Sequence, residues 1–143
     1  MNVAVAVGSS GRLYRSYARL AAAAFALVVL YTLAVKLPGG ELGRDWAHTA
    51  LHVVTGCVAA YVGWIARGAW PAKAFTGTLA LGYGALGLLG WFTNGVAMGS
   101  PFRIPLEAPD NVFHLVLGFG AALTVVVASV SGRRRRPAST PAA

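Results

Sequence analysis

The three histidines of the chain lie in two short stretches, each of which opens an apolar segment. The first stretch holds His48 and His52 and ends at Gly56. The second holds His114, four residues before Gly118. Histidine transfers protons near neutral pH and is a common metal ligand. These two stretches therefore contain the candidate functional residues of the protein.

An aspartate precedes the histidines in each stretch. Asp45 lies three residues before His48, and Asp110 lies four residues before His114. On α-helices, each carboxylate would share a face with its histidine and could fix one imidazole tautomer. Asp110 follows Pro109, so we expect it to precede its helix as an N-cap. If the two helices face each other, five side chains converge: Asp45, His48, His52, Asp110 and His114.

Two chemically different interpretations fit this convergence. In the structural one, the aspartates cap helices and the histidines form hydrogen bonds at the membrane interface. In the second, the cluster binds a metal ion. His48 and His52 have the i, i+4 spacing of helical zinc ligands, and His114 with Asp45 or Asp110 would complete four ligands.

Haem is a third interpretation. His52 and His114 would be axial ligands from facing helices, and Gly56 and Gly118 would make room for the macrocycle. Without haem, the same two glycines have a structural role, because small residues let membrane helices approach closely. No residue is predicted to be catalytic, since the chain has no P-loop, nucleophile elbow or dinucleotide-binding glycine pattern.

The composition places these residues in a membrane protein. The chain has 143 residues, of which 57% are hydrophobic and 11% are charged, whereas a soluble domain has about 25% charged residues. Cys57 is the only cysteine, so no intrachain disulfide can form. Arginine far outnumbers lysine and small residues abound, which is typical of a GC-rich bacterial genome.

Four apolar runs predict an all-α bundle of four transmembrane helices. The predicted spans are about 18–36, 47–66, 74–92 and 112–130. They form one membrane domain, 17–132, between a cytoplasmic lead, 1–16, and a basic, disordered cytoplasmic tail, 133–143. Tyr17 is expected to lie at the membrane interface before the first span. No acidic or basic residue lies mid-span, which makes a proton-coupled transporter the weakest functional class.

The charges predict the orientation. With four spans, the lead, the turn at 67–73 and the tail share one side and hold nine basic residues and no acid. The other side holds three basic residues and all four acids: Lys36, Arg44 and Arg103, with Glu41, Asp45, Glu107 and Asp110. Basic loops stay inside, so both termini are predicted to be cytoplasmic in the plasma membrane. The net charge of +8 therefore serves topology, and we expect no nucleic-acid partner.

The spacing of His52 to Gly56 matches that of His114 to Gly118, which suggests two helical hairpins repeated in parallel orientation. With Asp110 and Asn111, these residues resemble bacterial four-helix membrane proteins grouped as domain of unknown function family 4383, over roughly residues 17–130. The resemblance implies an integral four-span protein and no particular activity.

The sequence thus favours a structural or accessory membrane protein in the lipid bilayer, alone, as a homo-oligomer or in a larger complex. The alternative is a metal- or haem-binding redox or sensor protein that uses the histidine cluster.

Overall fold

The structure is a computed structural model that describes residues 3–38, 42–93 and 106–133. Helix α1 covers Val3–Lys36, α2 covers Leu42–Ala60, α3 covers Trp70–Leu89 and α4 covers Ala108–Arg133. A π-helical turn, Tyr61–Ile65, continues α2. No strand occurs in these ranges. The predicted all-α class is therefore confirmed for the described residues.

Within the described ranges, three helices are long and apolar enough to cross a membrane: Ser10–Lys36, Trp46–Ile65 and Ala108–Gly132. The last two agree closely with the predicted second and fourth spans. Helix α3 has 20 residues, but it does not reach the same hydropathy. Lys73 lowers the mean hydropathy of α3, and its several glycines add almost nothing to it.

The first helix begins earlier than predicted. We expected a separate lead over residues 1–16, but α1 is continuous from Val3. Gly11 would break an isolated helix, yet it is buried against the chain that joins α2 to α3. A Cβ built there would lie 3.0 Å from Ala69 Cβ. Close packing on this turn thus extends the helix beyond the apolar run.

The most extensive packing joins α1 to α2 and α3 to α4, so the chain forms two helical hairpins. Helix α1 also contacts α3 and α4 and closes the bundle. The central core consists of alanine, leucine and aromatic residues from all four helices: Tyr17, Ala21, Phe25, Ala59, Leu79, Leu117 and Ala121.

Tyr17 belongs to this core, which corrects the predicted interfacial position. Its hydroxyl donates a buried hydrogen bond of 2.7 Å to the carbonyl oxygen of Leu117. The extension of α1 is the reason, because Tyr17 lies well inside the Ser10–Lys36 segment instead of at its start. The bond ties α1 to the middle of α4.

Arginines of α1 stabilise the end of the α2 segment. Arg15 Nη2 donates to the carbonyl oxygens of Ala66 and Gly68, at 3.1 and 2.8 Å. Arg19 Nε donates to the carbonyl oxygen of Gly63 at 2.9 Å. Carbonyls at a helix C-terminus lack partners and carry partial negative charge, which cations offset. These arginines therefore stabilise the turn into α3.

Candidate metal centre

Helices α2 and α4 place the three histidines in the bundle. His48 and His52 lie one turn apart on α2, and His114 lies in the second turn of α4. Their exposed fractions are 4%, 4% and 2%. A buried imidazole is costly unless its polar atoms have partners. Three buried imidazoles in one bundle therefore form the candidate site.

The three rings form a compact triangle. The ring centroids of His48 and His52 are 4.4 Å apart, and each lies 5.8 Å from the centroid of His114. One ring nitrogen of each histidine lies within 4.8 Å of the other two. Bonds of about 2.0–2.1 Å to one zinc ion would place such nitrogens about 3.4 Å apart. Binding of one ion would therefore require the three rings to move closer together.

The ring nitrogens are shielded from solvent. Nε2 of His48, Nε2 of His52 and Nδ1 of His114 are all buried. Within the described part of the chain, His114 Nδ1 has no hydrogen-bond partner. Burying an unsatisfied polar atom costs about 1–3 kcal/mol. A bound cation would provide the missing interaction.

Aromatic rings from α1, α3 and α4 enclose the triangle. Phe25 and Phe113 lie beside His52, with centroid distances of 5.7 and 5.4 Å. The ring of Tyr83 meets His114 edge to face at 4.9 Å. The sequence did not reveal this shell, because aromatic residues in apolar segments carry no signal that separates a site wall from ordinary core.

Asp110 does not extend the cluster in the expected way. We predicted an N-cap before the helix, but Asp110 lies inside the first turn of α4, which begins at Ala108. Its Oδ2 accepts a hydrogen bond of 3.2 Å from the backbone N–H of Glu107. Proline fits the first turn of a helix, so Pro109 lets α4 start before Asp110.

No hydrogen bond or ion pair joins Asp110 to His114 among the described residues. The side chain of Asp45, the other predicted acid, lies outside the described part.

The two predicted packing glycines lie at close helix contacts. A Cβ at Gly56 would lie 2.9 Å from Phe25 Cβ, and one at Gly118 would lie 2.5 Å from the backbone nitrogen of Gly84. Haem would need space beside these glycines, and α1 and α3 already fill it. The packing therefore favours a single ion over a macrocycle.

A groove of about 280 Å³ runs between α1 and α2. Its walls are apolar except at His52, and they include Ala22, Phe25, Val29, Gly56 and the exposed Cys57. His52 therefore lies at the inner wall of a groove that opens on the outside of the bundle.

Comparison of the chain with protein-family models, with curated proteins and with solved structures gives no match. The resemblance to the four-helix family stays a prediction, and the interpretation of the site rests on its geometry.

Proposed function

We propose that the protein is a four-span plasma-membrane protein that holds one transition-metal ion between His48, His52 and His114, near the extracytoplasmic end of the bundle. One observation carries the proposal: three buried imidazoles from two helices each have a ring nitrogen within 4.8 Å of the other two. Histidine nitrogen is a preferred ligand of zinc, copper, iron and nickel. Such a site would serve a sensor, a redox protein or an accessory subunit.

The geometry of α3 supports a fourth span. The turn after Ile65 reverses the chain, and α3 starts at Trp70 beside the end of α2. Twenty residues of helix extend about 30 Å, the thickness of the hydrocarbon core. Helix α3 packs against α4 and α1, and Gly87 lies close to Leu115 of α4, so part of the α3 surface faces protein and needs no high hydropathy.

Exposed tryptophans support the same membrane position. Trp46 begins the second apolar segment and Trp91 follows α3, so both lie at the histidine end of the bundle. Trp64 and Trp70 lie at the arginine end and are also exposed. Tryptophan concentrates at both membrane–water interfaces. The predicted orientation then makes the histidine end extracytoplasmic.

A purely structural role is the second candidate, and the tight core of small residues favours it. In that case, the imidazoles would satisfy one another inside the bundle without an ion. The two candidates differ in metal content, which makes elemental analysis the decisive measurement.

The experiment compares detergent-purified wild-type protein from metal-replete cells with His52→Ala and His114→Ala. We expect about one transition-metal ion per wild-type chain, and background levels in both variants, because two imidazoles bind far more weakly than three. Thr124→Ala, whose hydroxyl bonds only its own helix at Gly120, serves as the control. Circular dichroism verifies that every variant is folded.

Metal at background in the wild-type protein would overturn the proposal and leave the structural role. Equal metal content in the wild type and in folded histidine variants would show that the ion binds elsewhere.

A further inference from the structure

We propose that the ion this centre selects is Cu(I), bound by the three imidazoles alone. This inference rests on the proposed function and names the metal of the same site. It follows from the number of ligands, from their charge and from the surroundings.

The described ligand set is three-coordinate. His48, His52 and His114 each offer one nitrogen, and these nitrogens lie within 4.8 Å of one another. Structural zinc sites are almost always four-coordinate, and Cu(II) prefers a square or tetragonal set of four or more ligands. Three-histidine zinc sites fill the fourth position with water, whereas Cu(I) can be held by three nitrogen ligands alone. The triangle of imidazoles therefore fits the monovalent ion best.

The site brings no negative charge that the structure describes. Neutral imidazoles are its ligands, and the carboxylate of Asp110 is engaged with the Glu107 N–H. The cost of moving an ion into a low-dielectric interior rises with the square of its charge, so a monovalent ion pays about a quarter of the divalent penalty. An uncompensated Zn²⁺ would bear the full divalent penalty between apolar helices.

The enclosing rings match a soft cation. Phe25, Phe113 and Tyr83 surround the histidines with polarisable π systems. Such rings form an apolar, polarisable wall, which suits a soft monovalent ion better than a strongly hydrated divalent one. The number of ligands, their charge and the apolar surroundings thus point to the same ion.

The test uses metal-free full-length protein in detergent under strict anaerobiosis. Cu(I) is supplied in competition with a chromogenic chelator of known affinity, and Zn(II) is titrated separately against a zinc chelator. We expect one Cu(I) per chain, bound at least about 100-fold more tightly than Zn(II). X-ray absorption of the copper form should show three nitrogen neighbours and no sulfur.

Variants separate the ligands. His52→Ala and His114→Ala should each weaken Cu(I) binding by at least about 100-fold, whereas Cys57→Ser should leave it unchanged. Loss of Cu(I) in Cys57→Ser, or a sulfur neighbour, would overturn the three-imidazole centre. Asp45→Asn should leave Cu(I) binding unchanged.

The outcomes distinguish this inference from the proposed function. One equivalent of Zn(II) that depends on the histidines, with weaker Cu(I) binding, would refute the choice of metal and retain the metal centre. Zinc binding that is lost in Asp45→Asn would show that a carboxylate balances a divalent charge, with the same consequence. If neither Cu(I) nor Zn(II) binds, both the inference and the proposed function fail.

Discussion

At the scale of single residues, His114 shows how position changes the chemistry of one side chain. Alone in the second turn of α4, it would be a polar ring in an apolar helix. Beside His48 and His52 it becomes the third corner of a triangle with edges of 4.4 and 5.8 Å. A buried imidazole is destabilising without a partner. The three rings together can share one ion, and its binding would offset the cost of burying them.

Gly118 provides a prediction at the same scale. A methyl group there would meet the α3 backbone at Gly84, at 2.5 Å from its nitrogen and 2.7 Å from its Cα. Backbone atoms cannot rotate away, so the helices must separate. We expect Gly118→Ala to lower the free energy of unfolding by about 1–3 kcal/mol, and to weaken metal binding because His114 lies one turn away.

Gly77→Ala is the matched control, since no atom lies within 4 Å of a Cβ built at that position of α3. Its stability should stay equal or rise slightly, because alanine favours helix. Both variants are compared by thermal unfolding in detergent. Equal melting temperatures for the two would contradict the close contact between α3 and α4.

At the scale of elements, the start of α4 determines where His114 lies. The helix begins at Ala108, and Asp110 reaches back from its first turn to the N–H of Glu107. This is the acidic half of a capping box, and the carboxylate also meets the positive end of the helix dipole. The role of Asp110 is therefore to stabilise the helix that carries the histidine, without contacting the ring.

Asp110→Ala should lower the free energy of unfolding by about 0.5–1 kcal/mol, while metal stoichiometry stays at the wild-type value. Glu107→Ala is the control, because the hydrogen bond uses only its backbone N–H. Thermal unfolding and elemental analysis of the same samples give both answers. A folded Asp110→Ala protein without metal would instead identify the carboxylate as a ligand.

At the scale of the whole molecule, the arginines of α1 and the histidines lie toward opposite ends of the bundle. Arginines of α1 bind the carbonyls that follow α2 at one end, and the histidine triangle lies toward the other. If the proposed topology holds, the metal centre faces the extracytoplasmic side and exchanges ions there. The proposed function therefore depends on the proposed orientation.

Reporter fusions test this orientation. Alkaline phosphatase fused after Ala143 should be inactive, and a fluorescent protein at the same point should fold, since the basic tail keeps the C-terminus in the cytoplasm. Phosphatase fused after Pro101 should be active. An active phosphatase at the C-terminus would mean that α3 does not cross the membrane.

The sequence by itself determined the helical class, the apolar segments that are long enough to cross a membrane, and the three histidines of the cluster. Each of these depends on local properties, namely hydrophobic run length, charge between the runs and residue spacing within one helix. The predicted spans at 47–66 and 112–130 lie close to Trp46–Ile65 and Ala108–Gly132 for this reason. The sequence did not predict the extension of α1, because the packing of Gly11 on Ala69 stabilises it and hydropathy does not.

Only the tertiary structure decided which side chains meet. Helices α2 and α4 make little direct backbone contact, and their histidines bridge the space between them. That meeting depends on the rotation of each helix about its axis, which α1 and α3 fix through Phe25, Tyr83 and the close contact at Gly118. Spacing along one helix cannot encode a rotation that its neighbours impose. The same packing fills the space that haem would need. The side chain of Asp110 bonds the start of its own helix instead of His114.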